Sequence, residues 1–316
     1  MTALHDALGI DADIVCEDVT DVSRAQWLAL RKEGIGGSDA AAALGISRWT
    51  SPLALYYDKV DPAVNEEDNE RFEWGHRNEA AIADGFAARH PEYTVANVPV
   101  MLRSVRHPFM LVNVDRYLIG ADGERALLEC KNVDARGAHE WADGPPIQYR
   151  VQVQHAMYVC GPAYQRCFVA ALIGGNSLTV FDVKRDEELI EALIQGEEKF
   201  WTQVQLRRAP GPDGSESTRE ALARHYAQPL LDVREVGPEF LALVDKHVSA
   251  KELLKAAQER VNAIESEMKA QIGEAEGVAV DGEIVATWKS VTRKEHTVAA
   301  STFRKLDVKR KREDAN

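Results

Sequence analysis

The chain has 316 residues, 45% hydrophobic and 28% charged, with a formal net charge of −13, which is the profile of a globular protein with one large domain or a core plus an appendage. No apolar run reaches the ~18–20 residues of a membrane span, no basic segment followed by an apolar one opens the chain, and Cys16, Cys130, Cys160 and Cys167 form no CxxC pair. A cytoplasmic location without a membrane partner is therefore expected, and a zinc or iron–sulfur site is disfavoured. The acidic total argues against a nucleic-acid partner, but acid is concentrated in 61–73 and 186–198 while 288–312 is basic, so a local basic groove stays open.

Residues 1–20 are acidic and aperiodic, an expected loosely tied arm. Residues 23–31 read as a short helix, capped by Ser23, with Trp27, Leu28 and Leu30 on its apolar side. Gly34, Gly36 and Gly37 then make a glycine-rich turn that runs through Ser38 and Asp39 into a helix over 40–44. Amides at such a start attract phosphate, and a plain tight turn reads the same way. Helices follow at 52–60 and, past an acidic loop over 61–70, at 71–89; the second carries Gly75, His76 and Glu79.

Three strand-like runs come next, 94–103, 109–118 and 126–133, the last two forming a β-hairpin around Gly120 and Gly123. Asp115 lies on the first strand of this hairpin, Glu129 and Lys131 on the second. Side chains alternate along a strand, so Glu129 and Lys131 share one face and Cys130 takes the other. A loop over 137–146 leads to a helix over 147–160 with Gln152 and Gln154, then strands over 163–173 and 177–184 and a helix over 186–207. This order describes an α/β or α+β layered core. The Pro- and Gly-rich stretch 209–217 is the clearest boundary. Beyond it 238–272 is helical. Phe240, Leu243, Leu254, Val261, Ile264 and Met268 lie close to a heptad register that His247, Lys251 and Gln271 interrupt or flank. A packed helix and a short coiled coil both remain open. Asp281 and Gly282 mark a small β-hairpin, and 309–312 is a basic cluster.

Asp115, Glu129 and Lys131 carry the chemistry. Clustered carboxylates repel one another unless a metal lies between them. Phosphodiester hydrolysis uses one or two Mg²⁺ ions held by such carboxylates, with a lysine to orient water and stabilise developing charge. A cross-strand ion pair on a wet face has the same spacing, but Leu127 and Leu128 make this stretch apolar, so the charges are buried or at a site. His76, His139 and His155 lack metal-ligand spacing, and no serine-hydrolase elbow or Walker motif occurs. Trp141 and Tyr149 could stack on a splayed base; packing is their plainer role.

Taken in order, Arg31 with the turn through Ser38, Gly75 to Glu79, Asn113 to Asp115, Glu129 with Lys131, and Gln152 with Gln154 resemble the YqaJ-type viral recombinases. These are relatives of bacteriophage lambda exonuclease within the PD-(D/E)XK nuclease superfamily, and the resemblance spans roughly residues 21–205. It implies a restriction-endonuclease-like core, a central mixed sheet flanked by helices, with a C-terminal helical and β-hairpin extension. The implied organisation is an arm over 1–20, a nuclease domain over 21–208, a linker and short helix over 209–237, and a long helix, hairpin and basic tail over 238–316.

The resemblance also implies roles. Asp115 and Glu129 would be metal-binding carboxylates, Glu79 would help organise the metal directly or through water, Lys131 would position the water, and Gln154 would lie beside the active site. Arg31 and Ser38 would grip the 5′ phosphate of a DNA end. The implied function is a Mg²⁺-dependent exonuclease, with Mn²⁺ as a substitute ion, acting 5′-to-3′ on linear duplex DNA. It would leave 3′ strands for a single-strand annealing protein in phage-type recombination. A phage or prophage origin in a bacterial cytoplasm and a ring-shaped trimer are implied by the resemblance alone. A structure-specific endonuclease of the same fold and a non-catalytic DNA-binding or recruitment protein are the alternatives. Val114 stands where the family name places a proline, and Asn113 where the lambda enzyme has a serine near the phosphate.

Overall fold

A computed structural model describes residues 3–61, 70–229, 233–292, 300 and 304–308. The chain divides into two compact units, Met1–His225 and Tyr226–Asn316. The first begins with α1 (Ala3–Leu8) and β1 (Ala12–Cys16), followed by α2 (Arg24–Arg31), β2 (Ile35–Gly36), α3 (Gly37–Ala43), α4 (Pro52–Val60) and α5 (Glu70–Arg89). It continues through β3 (Tyr93–Ala96), β4 (Met101–Ser104), β5 (Met110–Asn113), β6 (Arg116–Gly120) and β7 (Arg125–Val133), then a 3₁₀ turn (Ala135–Trp141) and α6 (Ile147–Cys160). It ends with β8 (Tyr164–Ile173), β9 (Ser177–Lys184), α7 (Glu187–Gln205) and α8 (Glu216–His225).

Local chemistry explains several boundaries. Ser23 caps α2 in a capping box: its hydroxyl accepts from the Gln26 amide and the Gln26 side chain accepts from the Ser23 amide. Ser51 caps α4, whose first residue is Pro52, the position where a missing N–H costs nothing. The residues expected to form a loose arm are ordered instead. Leu8, Ile10 and Ala12 are buried, and β1 pairs antiparallel with β4. The acidic loop expected over 61–70 falls almost wholly outside the described residues.

Two sheets form. One has the order β3-β6-β7-β8-β9, with β7 and β8 parallel and the other neighbours antiparallel. The other has the order β1-β4-β5-β2, with β2 and β5 parallel. The runs expected as continuous strands over 94–103 and 109–118 each break and place one piece in each sheet. Pro99 lies in the first break, where a residue without an N–H cannot continue a ladder. Val114 and Asp115 form the second. Gly34 lets β2 reach β5: a Cβ there would sit 2.5 Å from the Phe109 carbonyl oxygen, which accepts from the Ile35 amide at 2.7 Å.

The parallel pair β7–β8, joined through α6, is covered on both faces, and its strands read as near-continuous apolar runs. Leu127 and Val169 point into a core with Val151, Val153 and Met157 of α6 and Leu193 of α7. Leu128, Phe168 and Ala170 point the other way, onto Ile82, Ala83 and Phe86 of α5. The mixed sheet flanked by helices is the architecture the sequence implied. The short helix expected with the linker over 209–237 is α8, which packs on α4: Thr218 donates to Ser51 at 2.8 Å, and the His225 ring stacks on Tyr57 at 4.0 Å. The compact unit therefore ends at His225, not at 208.

The second unit contains α9 (Glu239–Ile272), β10 (Gly277–Val280) and β11 (Glu283–Thr287), an antiparallel hairpin turned at Asp281 and Gly282. Both turn residues have positive φ, 51° and 86°, as a two-residue turn of this hand requires. The basic cluster 309–312 lies outside the described residues.

One buried ion pair ties the first unit together. His155 of α6 and Glu197 of α7 are both 0% exposed; the imidazole Nδ1 lies 2.8 Å from the Glu197 carboxylate, and its Nε2 lies 2.8 Å from the Leu111 carbonyl. Two acceptors on one ring call for the doubly protonated imidazolium. Burial works against His155's charge, but Glu197 and these hydrogen bonds outweigh it and raise its pKa. Burial raises that of Glu197, with His155 opposing. Both shifts make the folded state the one that holds more protons. The Glu197 contribution is therefore full only below the ordinary glutamate value near ~4.3 and the His155 contribution below ~6.5, each being lost as pH rises through its own raised folded value. His155→Ala should cost about 3–5 kcal/mol in urea unfolding near neutral pH, because Glu197 is left buried alone, and less near pH ~4, where Glu197 is protonated in the folded and the unfolded chain alike.

Candidate active site

The break between β5 and β6 sets the site. Arg116 is the first β6 residue in the ladder, opposite Leu128, so Asp115 lies just outside it, level with Glu129. The Asp115 carboxylate accepts the Cys130 backbone amide at 2.7 Å. Glu129 is 7% exposed. Its Oε1 lies 2.6 Å from Lys131 Nζ and accepts from Gln152 Nε2 at 2.6 Å. Glu129 and Lys131 share the face turned toward α6, as strand alternation requires.

The charges are unbalanced. Burial, then Glu129, hold the Asp115 carboxyl well above the usual carboxylate range; Glu79 adds to this, while Lys131 and the Cys130 amide oppose it. Burial works to lower the pKa of Lys131, but Glu129 and Asp115 overcome it and the ammonium is held above its ordinary range. Lys131 Nζ also stands 5.0 Å from the centre of the Tyr149 ring, a cation–π contact. Tyr149 stacks on Trp141 at 5.1 Å, and Trp141, only 4% exposed, packs against Phe181. These aromatics support the lysine from below.

Glu79 reaches the site less directly than expected. Its carboxylate is taken by Arg116, which also donates to the Asp115 backbone carbonyl. Arg116 faces α5 because its partner Leu128 packs in that core. Glu79 therefore acts on Asp115 through its charge and through Arg116. Gln154 departs further: it is 2% exposed, donates to the Lys184 carbonyl at 2.7 Å and accepts from the Asp186 amide at 3.0 Å. It fastens α6 to the junction of β9 and α7, away from Glu129. Neighbours two apart on a helix point ~200° apart, so only one of the two glutamines can face the carboxylates, and that one is Gln152.

Arg31 and Ser38 come together as the resemblance implied. Arg31 Nη2 donates to the Ser38 hydroxyl at 2.8 Å and to Asp39 at 2.9 Å. Asp39 also accepts from Lys59 at 2.8 Å and from the Gly36 amide at 3.1 Å. Burial would raise its pKa, but Arg31 and Lys59 win and hold it well below the usual range. The turn bearing Ser38 leans on α6: a Cβ at Gly37 would meet Gln152 at 3.5 Å and His155 at 3.7 Å. The side chain that touches Glu129 thus lies close to the start of α3, which carries Ser38.

Among the described residues no three His, Cys, Asp or Glu side chains already converge as a metal cage. The donor set still suits a hard divalent ion. Asp115 and Glu129 raise each other's cost of ionisation, an oxygen-ligand cation would relieve it, and such ions keep several waters. No helix among the described residues is long and apolar enough to cross a membrane.

A mixed sheet with paired carboxylates and a lysine where two adjacent strands meet places the protein in the restriction-endonuclease-like α/β class. Residues 26–163 match the YqaJ-like viral recombinase domain. Over 279 residues the chain is 34% identical to YqaJ of Bacillus subtilis (strain 168), covering 86% of this chain and 85% of that one. The chain belongs to the YqaJ family. Among solved structures it is similar to an alkaline exonuclease of Laribacter hongkongensis, at 17% identity and a TM-score of 0.48, covering 64% of this chain and 97% of that one. It is also similar to a phage-related exonuclease of Haemophilus somnus, at 13% identity and a TM-score of 0.40, covering 58% and 100%.

Asp39→Asn should cost about 3–5 kcal/mol in urea unfolding, because Lys59, whose side chain is 1% exposed, loses its buried counter-charge. Ser38→Ala, which leaves Arg31 paired with Asp39, should cost no more than ~1 kcal/mol.

Proposed function

We propose that this protein is a metal-dependent DNA exonuclease that degrades linear duplex DNA from its 5′ ends. The observation that carries the reading is the cluster of Asp115, Glu129 and Lys131, with Gln152 on Glu129 and Arg31 bonded to Ser38 at the start of the neighbouring α3. Membership of a viral recombinase family supports a DNA substrate and a place in phage-type recombination, with the 3′ strand left for a single-strand annealing protein.

Asp115 and Glu129 would hold Mg²⁺, which when bound neutralises phosphate charge and lowers the pKa of a water. Lys131, kept protonated by its carboxylate neighbours, cannot serve as the base. It donates to the attacking water or to the phosphate oxygen on which charge develops. Gln152 fixes the Glu129 carboxylate and leaves its other oxygen, Oε2, for the ion. Glu79, held by Arg116, orders water around the site and does not ligate directly. Arg31 and Ser38 supply hydrogen-bond donors for a terminal 5′ phosphate, the guanidinium in the fork that suits phosphate.

The wild type should digest linear duplex with Mg²⁺ and leave circular duplex intact. Lys131→Ala should be slower by ~100–1,000-fold. Equal digestion by the two proteins would defeat the assignment, and cutting of circles would turn it into an endonuclease. Arg31→Ala should narrow the rate difference between ends carrying a 5′ phosphate and a 5′ hydroxyl. Gln152→Ala should lower Mg²⁺ affinity or rate by about 10–100-fold, the usual cost of losing a ligand's supporting hydrogen bond. Gln154→Ala should lower the melting temperature and spare the rate.

A further inference from the structure

The 34-residue helix α9 carries an apolar seam that nothing among the described residues covers. Phe240, His247, Leu254, Val261 and Met268 recur every seventh position, and Leu243, Ala250, Ala257, Ile264 and Gln271 follow each by three. Leu254 is 62% and Ile264 51% exposed. The short segment 306–308 lines a shallow groove beside His247 and Lys251 and leaves the seam from Leu254 onward open. An apolar stripe sustained over more than four heptads, with charged flanks, is the pattern of a coiled coil. At ~1.5 Å per residue the helix is ~50 Å long, enough for a stable two-stranded pairing.

We propose that α9 pairs with α9 of a second copy of this chain as an antiparallel coiled coil, making the protein a dimer. The seam itself selects the occupant and its direction. In a parallel, in-register pair each seam residue meets its own copy. Ala250 and Ala257 would then each face alanine, leaving two hollow layers, and His247 would face His247. In the antiparallel pair Leu254 packs on the partner's Ala257, Val261 on the partner's Ala250, Met268 on the partner's Leu243, and Ile264 on the partner's His247. Every small residue meets a large one, so the layers fill, and voids are costly in such seams.

The flanking charges agree. A parallel pair sets Lys246 against the partner's Lys251, which cancels the attraction of Arg260 for the partner's Glu265. The antiparallel pair sets Lys246 against the partner's Glu267 on both sides and makes no like-charge contact. Leu253 and Val244 flank the seam and widen its apolar stripe. Complementary flanking charges of this kind choose orientation and partner.

Sedimentation velocity on the full-length protein without DNA should give twice the 35.0 kDa mass of one chain at micromolar concentration. Leu254→Glu with Ile264→Glu should give monomer with unchanged helical circular dichroism, since both residues are exposed in the single chain. Lys246→Glu should weaken the dimer several-fold, and adding Glu267→Lys should restore it. A monomeric wild type, a mass three times that of the chain, or a dimer indifferent to the double glutamate variant overturns the proposal. So does tighter association of Lys246→Glu, because only a parallel pair would set that glutamate against the partner's Lys251.

Discussion

The Glu129 carboxylate, shared between Lys131 and Gln152, is the contact on which the first unit's chemistry depends. It lies where β7 meets α6, and both elements are fixed by apolar packing on either side of it. Two carboxylates and one lysine stand in a place where burial penalises all three. The lysine cannot satisfy both carboxylates: it pairs with Glu129 and leaves Asp115 raised. That residual strain is local and electrostatic, and it is what marks the cluster as a candidate site.

Helix α6 organises the surroundings. Gln152 faces the carboxylates, Gln154 faces the β9–α7 junction, and His155 faces Glu197 and the Leu111 carbonyl. Three polar side chains within four residues take three directions, each with a partner. The helix is therefore held against rotation by hydrogen bonds as well as by packing, which keeps Gln152 aimed. Arg116 does similar work from the opposite face of the sheet, joining Glu79 to the strand that begins beside Asp115.

Much of this was legible in the chain. Asp115, Glu129 and Lys131 could be placed together because strand alternation and a short turn leave little freedom; Arg31 with Ser38 came from the family resemblance alone. What stayed hidden depended on tertiary pairing. Nothing local in 109–118 signals that its two halves belong to different sheets, since both are apolar and β-prone. The acidic N-terminal residues gave no periodicity, yet β4 offered β1 a free edge. The choice between Gln152 and Gln154 turns on the rotation of α6, which is set by His155 and Glu197, residues far apart in sequence. The packing of α8 on α4 hung on Ser51 and Thr218, two hydroxyls with no pattern to mark them.

Gly37 lies close enough to α6 that a Cβ there would stand 3.5 Å from Gln152, and this has a consequence for how such a protein would measure its substrate. Arg31 with Ser38 and the carboxylates are carried by packed helices and strands of one unit. Under the proposed function, the span from a held strand terminus to the cut would be a gauge set by the interior. Cut length would be a property of core packing, and a change in the size of one buried glycine could reset it.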